Sequence, residues 1–329
     1  MIRELDEHQA APYIADRLHL KPELIRATSL GGGVSNHVVL IETPEQRFVL
    51  KQSLPKLRVE EDWFSDRERV FREAGALGRL SPLLPHGSVP EVIFEDRENF
   101  AFAMTAAAPG AVNWKSRLLQ GDLSTAVAET IARIHGSIMT LSWESPEWEA
   151  AFGDLTAFEQ LRLNAYYEFT AARHPDLKIY FDAALARART ERRCLVHGDW
   201  SPKNMMVHGD CVMAIDFEVI HFGDPAFDTA FLLNHLLLKS FYKPAFASGY
   251  LALAEHYWNV LSAILMNEND WLEAATLQHL PLLLLARMDG KSPVEYITDV
   301  KLKARIREVA RDMILHPPAY VTDVFRRIA

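Results

Sequence analysis

The apolar pattern of this 329-residue chain changes period near residue 110, which limits it to a fold of two unlike parts. Upstream, short β-rich runs alternate with turn residues. Residues 26–30 and 37–42 flank a glycine-rich loop, 47–52 follow the turn-like 43–46, and 91–95 and 100–104 flank Asp96-Arg97-Glu98-Asn99. A helical stretch runs from about Glu60 to Leu80. These runs predict a small antiparallel sheet with one long helix laid on it. Downstream of residue 113, apolar residues recur at i, i+3 and i+4 through 122–139, 155–172, 225–240, 243–266 and 269–288. A β-rich interruption falls inside this helical half, at 194–197, 204–207 and 211–216. The expected fold class is α+β in two lobes, 1–107 and 108–329, with 106–113 as the connector. The default ligand site of such a pair is the cleft between the lobes.

Composition narrows the function classes. The chain is 49% hydrophobic, enough for an extensive core, and this excludes a disordered or fibrous protein. A net charge of -9 argues against a polyanion-binding surface, so no nucleic-acid partner is expected. With only two cysteines, Cys194 and Cys211, a reducing compartment is expected and both read as reduced core residues. The first ten residues are charged and lack the apolar core of a secretion signal. The most apolar stretches, 230–238 and 279–288, are interrupted by Asn234, His235 and Arg287 and fall short of the roughly 20 residues of a membrane span. The expectation is a soluble, cytoplasmic protein with no membrane partner.

The strongest chemical signal is His197-Gly198-Asp199-Trp200-Ser201-Pro202-Lys203-Asn204, followed by Ile215-Asp216-Phe217-Glu218. Phosphoryl transfer requires a carboxylate to orient an attacking hydroxyl and oxygen ligands for a divalent cation on the triphosphate. Asp199 fits the first role, and Asn204 and Asp216 the second. Glu218 lies two residues past Asp216, so in an extended chain both carboxylates face one side, and Glu218 is a further candidate for the metal. The competing reading is a polar turn held by its own side-chain hydrogen bonds. A second His-Gly-Asp, at 208–210, reads as a hairpin turn and not as a metal site, and His135 and His221 stand alone. In the first lobe Gly31, Gly32 and Gly33 would let backbone N–H groups approach phosphate oxygens, with Ser35 and Asn36 as added donors. Lys51 ends an apolar strand, placed to hold α- and β-phosphates. Glu73 shares a helix face with Val70, Leu77 and Leu80, where a carboxylate is costly unless paired, and Lys51 is the expected partner. Asp224 reads as a helix N-cap before Pro225, and Asp228 as a carboxylate that braces the 197–204 loop through backbone N–H groups.

Taken together, His197–Asn204, Ile215–Glu218 and Gly223–Asp228 resemble the aminoglycoside phosphotransferase and choline kinase-like superfamily, which has a protein-kinase-like fold. Within it, Lys51–Pro55 with Arg58, Val59 and Trp63, Val89–Val92 and Ala230–Leu237 are similar to the methylthioribose kinase family. The resemblance implies an ATP-dependent kinase that uses Mg²⁺ and acts on a hydroxyl of a small metabolite, most readily a methylthioribose-like or other pentose sugar. It implies adenine against the backbone at Met104, Thr105 and Ala106, and it favours a homodimer. Trp200, Lys203 and Arg287 are the candidates for acceptor contact, Arg287 because it projects from the apolar stripe of Leu283 and Leu284. Two other readings stay open: an aminoglycoside phosphotransferase, and a nucleotide-binding protein without catalysis.

Overall fold

The computed structural model describes residues 2–31, 35–56 and 65–328. They form two compact units: Met1–Pro109 with Met213–Val219, and Gly110–Val212 with Ile220–Ala329. The expected lobe boundary assigns 213–219 to the second part, whereas they cluster with the first. The backbone gives the reason for the difference: Ala214 N–H donates to Ser88 O at 2.8 Å and Phe217 N–H to Glu73 Oε1 at 3.2 Å.

The first unit is a five-stranded antiparallel sheet of β1 (Arg26–Ser29), β2 (Asn36–Glu42), β3 (Arg47–Ser53), β4 (Val92–Asp96) and β5 (Ala101–Thr105), in the order β1-β2-β3-β5-β4. Lys51 lies on the central strand, paired with Val38 on one side and Phe102 on the other. Helix α2 (Arg69–Leu80) buries Val70, Glu73, Ala74, Leu77 and Leu80, the face the heptad-like spacing predicts. Its first described turn begins at Arg69, and residues 57–64, which include Glu60, Arg58, Val59 and Trp63, lie outside the described residues. Helix α1 (Glu7–Leu18) is not among the elements expected from the sequence; Asp6 caps it through the N–H groups of His8 and Gln9. It packs Tyr13 and Ile14 against Val39, Ile41, Phe48 and Leu50.

The second unit is largely helical, with long helices at Thr125–Ser142, Ala226–Tyr242, Ala247–Ile264, Asn269–Asp289 and Val300–Leu315. Among the described residues none is long and apolar enough to cross a membrane. Short strands carry the loops between helices. β6 (Val112–Asn113) pairs with β8 (Met205–His208), and β7 (Cys194–Val196) with β10 (His221–Gly223). Between β8 and β9 (Cys211–Ala214), His208-Gly209-Asp210 makes the predicted turn, with Gly209 at φ 59°. Cys194 is buried, but Cys211 is exposed at the end of that turn, so the expectation of two core cysteines is half corrected. The apolar stretch 155–172 is not one α-helix. Thr156–Phe158 and Phe169–Arg173 flank a π-helix, Glu159–Glu168. Ala226–Tyr242 is buried from Ala226 to Phe241, polar residues included.

Candidate active site

In the first unit the ion pair expected of Lys51 has two carboxylates. Lys51 Nζ donates to Glu73 Oε2 at 2.6 Å and to Asp216 Oδ1 at 2.5 Å. The Lys51 and Glu73 side chains are 3% and 0% exposed, whereas Asp216 keeps 27%. Burial works against the Lys51 cation, but Asp216 and then Glu73 outweigh it and hold the ammonium above its ordinary range. Burial pushes the Glu73 carboxyl up, and Lys51 pulls it back. Asp216 reaches Lys51 from a left-handed backbone, φ 71°, which is unusual for a residue with a Cβ and typical of sites where geometry is imposed.

Glu218 does not follow Asp216 along an extended strand, because that segment is a turn. Its carboxylate instead faces inward and is enclosed. Ser35 Oγ donates to Oε1 at 2.7 Å, and Asn36 Nδ2 and Arg69 Nε donate to Oε2 at 2.8 and 3.1 Å. Ser35 and Asn36, expected as phosphate donors, thus bond Glu218, and Glu218, expected as a metal ligand, holds these two residues at the start of β2. Arg69 also donates to Ser35 O at 2.6 Å. Gly31 is exposed with open space around it, and Gly32 and Gly33 lie outside the described residues. Of the expected adenine contacts, Met104 is buried at the end of β5 and Ala106 lies just past the strand. The Thr105 N–H is committed to Glu91 O at 2.9 Å.

In the second unit the 197–204 loop is held from beneath. His197 N–H and Gly198 N–H donate to the two oxygens of Asp228 at 2.6 and 2.9 Å, which is the brace the sequence predicts. Gly198 takes φ 76°, a conformation that favours glycine, so the loop reverses just before Asp199. Asn204 Nδ2 donates back to Asp199 O at 2.9 Å, leaving Oδ1 as that amide's acceptor atom. Asp224 accepts the Ala226 N–H at 3.0 Å, although the helix itself begins one residue later than a cap at Asp224 would place it. Asp224 also binds Arg187 at 2.6 Å.

Burial pushes Asp228 up to about 7 against the pull of the His197 and Gly198 N–H groups. An unfolded aspartate titrates near 4. Between about pH 4 and 7 the folded chain therefore holds a proton that the unfolded chain has lost, and the stabilisation present below that window is lost as pH rises through it. Asp228→Asn is expected to flatten the decline of Tm across this range. An unchanged slope would mean that Asp228 stays ionised in the fold.

Asp199 is 3% exposed and its Oδ2 is shared by two cations, Arg162 Nη2 and Lys203 Nζ, each at 2.9 Å. Sequence reasoning named Lys203 but missed Arg162. Arg162 sits on the π-helix and also donates through Nε to Gly198 O at 2.6 Å, so it grips the loop and the carboxylate together. Trp200, a candidate for acceptor contact, is corrected: it is 0% exposed and stacks on His135 with ring centroids 4.7 Å apart. His135 in turn contacts Tyr257 Oη at 2.5 Å, and burial keeps its pKa well down. Arg287 does project from the buried face of its helix. It donates to Tyr166 Oη at 3.0 Å and to Ser292 O, not to Asp224 or Asp289.

Each unit carries an oxygen donor of its own: the Asp216 carboxylate in the first and the Asn204 amide Oδ1 in the second. Among the described residues no three His, Cys, Asp or Glu side chains gather as a metal-binding group. Oxygen donors are the kind taken by Mg²⁺, a hard ion that uses one or two protein oxygens and completes its shell with phosphates and water.

A sheet unit with a buried lysine between two carboxylates, and a helical unit with an aspartate loop braced from its following helix, define the protein-kinase-like fold. The chain belongs to the phosphotransferase enzyme family, whose model matches residues 26–264. It is 24% identical over 261 residues to methylthioribose kinase 2 of Oryza sativa subsp. japonica, covering 71% of this chain and 61% of that protein. It is 26% identical over 251 residues to methylthioribose kinase of Escherichia coli O45:K1 (strain S88 / ExPEC), covering 68% and 60%. The chain thus spans about 60% of the length of these curated relatives. Two solved structures share the fold at low identity. Amicoumacin kinase hAmiN, in complex with AMP-PNP, Ca²⁺ and Ami, gives a TM-score of 0.58 at 16% identity, over 98% of this chain and 99% of that one. Choline kinase from Cryptosporidium parvum Iowa II gives 0.58 at 12%, over 97% and 99%.

Proposed function

We propose that this chain is an ATP-dependent kinase that moves the γ-phosphoryl group to a hydroxyl of a small metabolite of pentose size. The observation that carries the reading is Lys51, a buried ammonium held between Glu73 at 2.6 Å and Asp216 at 2.5 Å. A buried cation with a partly exposed carboxylate beside it is what a polyphosphate and its counter-ion require. The pentose acceptor is supported by the methylthioribose kinase relatives.

Each unit contributes separate steps. Lys51, fixed by Glu73, binds the nucleotide phosphates and keeps its proton throughout. Asp199, its charge directed by Arg162 and Lys203, orients the acceptor hydroxyl and receives its proton at a carboxylate oxygen as the oxygen attacks phosphorus. Asp216 and Asn204 are each an oxygen donor of the kind Mg²⁺ takes, and the ion when bound would supply charge neutralisation on the phosphates. Glu218 anchors the glycine loop through Ser35 and Asn36.

The test is ADP release from ATP across pentoses, thio-pentoses, choline, homoserine and aminoglycosides. Turnover with a pentose-type acceptor is expected. Turnover with aminoglycosides alone would replace the acceptor class, and nucleotide binding with no release from any acceptor would replace the kinase reading. Arg162 gives a second readout as a positioning residue. Arg162→Lys keeps a cation beside Asp199 but loses the fork that also holds Gly198 O, so kcat is expected to fall about tenfold with KM for ATP unchanged. The acid limb of the pH profile should move upward, since Asp199 loses charge stabilisation. A Tm loss with an unmoved pH profile would make Arg162 a scaffold residue only.

A further inference from the structure

Two cations are buried in the second unit away from its carboxylates. Lys239 is 0% exposed and Arg287 8%, and neither pairs with a carboxylate among the described residues. Lys239 Nζ has only His235 O, at 3.1 Å, and the Tyr296 ring, at 5.5 Å. Arg287 holds Tyr166 Oη and Ser292, while its Nε is buried without a partner. The buried Tyr296 hydroxyl lacks a partner as well. An uncompensated buried cation is costly, and an anionic ligand docked against Arg287 and Lys239 would relieve that cost.

These groups are continuous with Asp199. Arg287 donates to Tyr166 Oη at 3.0 Å, and Tyr166 shares the π-helix with Arg162, whose Nη2 lies 2.9 Å from Asp199 Oδ2. Burial drives Lys239 down to about 7, helped by Lys115 and Arg287 and opposed only by Glu295, which is itself bound to Lys115. The cluster is graded toward solvent: the Lys203 side chain is 51% exposed and that of Lys115 30%, whereas Arg287 and His235 keep 8% and 9%.

The geometry points to an anion subsite on the acceptor side: the metabolite phosphorylated here carries a fixed negative charge, a phosphate or a carboxylate, that docks on Arg287 and the Lys239 cluster. This rests on the kinase reading for the word acceptor, but binding alone tests it. A neutral or polycationic acceptor would leave the buried cations unanswered or be repelled by them. A charged one also gives Arg287 a bidentate partner for its unused Nε.

The experiment is calorimetric titration with AMP-PNP and Mg²⁺ saturating, so that nucleotide phosphates occupy their own site. The probes are ribose, ribose 5-phosphate, ribonate and choline. One or both of the anionic probes is expected to bind at least tenfold tighter than ribose, and choline most weakly. Arg287→Gln should erase that ratio while leaving ribose affinity in place. Should that variant fold poorly, Lys115→Gln at the rim is expected to reduce the ratio severalfold. The two anions separate a phosphate from a carboxylate preference. Equal affinities, tighter binding of ribose or choline, or a ratio untouched by both variants would overturn the inference. ADP release with neutral acceptors alone would overturn it too, with the kinase reading left standing. The absence of ADP release alongside an intact binding ratio would fail only the kinase reading.

Discussion

Asp199→Asn is expected to lower kcat by about 10² or more while KM for ATP stays within twofold to threefold. The substitution keeps the shape of the side chain and the Asn204 bond to the residue's carbonyl. It removes the negative charge that receives the hydroxyl proton. It also leaves Arg162, with a side chain only 10% exposed, facing a neutral amide, so a modest fall in Tm accompanies the kinetic loss. Steady-state kinetics with thermal melting separate the two. A kcat within tenfold of the parent, at any Tm, would remove Asp199 from the proton step.

The second large effect belongs to Lys51. Lys51→Met takes the cation from between Glu73 and Asp216, two carboxylates it contacts at 2.6 and 2.5 Å. Breaking a buried pair from one side costs about 3 kcal/mol, the low end of the usual range because Glu73, already pushed up by burial, can take a proton. The nucleotide phosphates lose their buried ammonium, so kcat/KM for ATP is expected to fall about 10² to 10³. Glu73→Gln should do less on both counts, since Lys51 keeps Asp216 at 2.5 Å and the one amide oxygen still accepts from either Lys51 or the Phe217 N–H, which now use separate Glu73 oxygens. If Glu73→Gln proved as damaging as Lys51→Met, the carboxylate would have a role beyond positioning the lysine.

How much of this was legible in the sequence follows from how local each signal is. The β-strands and Lys51 are fixed by short alternating runs, and Glu73 betrays itself as a charge on the Val70, Leu77, Leu80 face. Asp228 was readable because a carboxylate one turn into a helix has nearby N–H groups to accept. The direction of Glu218 was not readable, because it depends on the φ of Asp216, 71°, which no spacing rule reveals. Arg162 escaped because apolar spacing over ten residues does not separate a π-helix from an α-helix, and a lone arginine on a helix reads as solvated. Trp200 lies beside Asp199 in sequence yet faces the core. Helix α1 was hidden by Pro12 and its polar surroundings, with an apolar face too narrow to stand out until the sheet covers it.

The central claim is a transfer of phosphorus, not a mere loss of ATP. The most direct measurement follows γ-³²P-labelled ATP incubated with the parent chain and the acceptor that best drives ADP release, the products being separated by charge. Label is expected covalently attached to the acceptor, one for one with ADP, and reduced about 10² or more in rate by Asp199→Asn. Label appearing only as inorganic phosphate, or label on the acceptor at the same rate in Asp199→Asn, would contradict it.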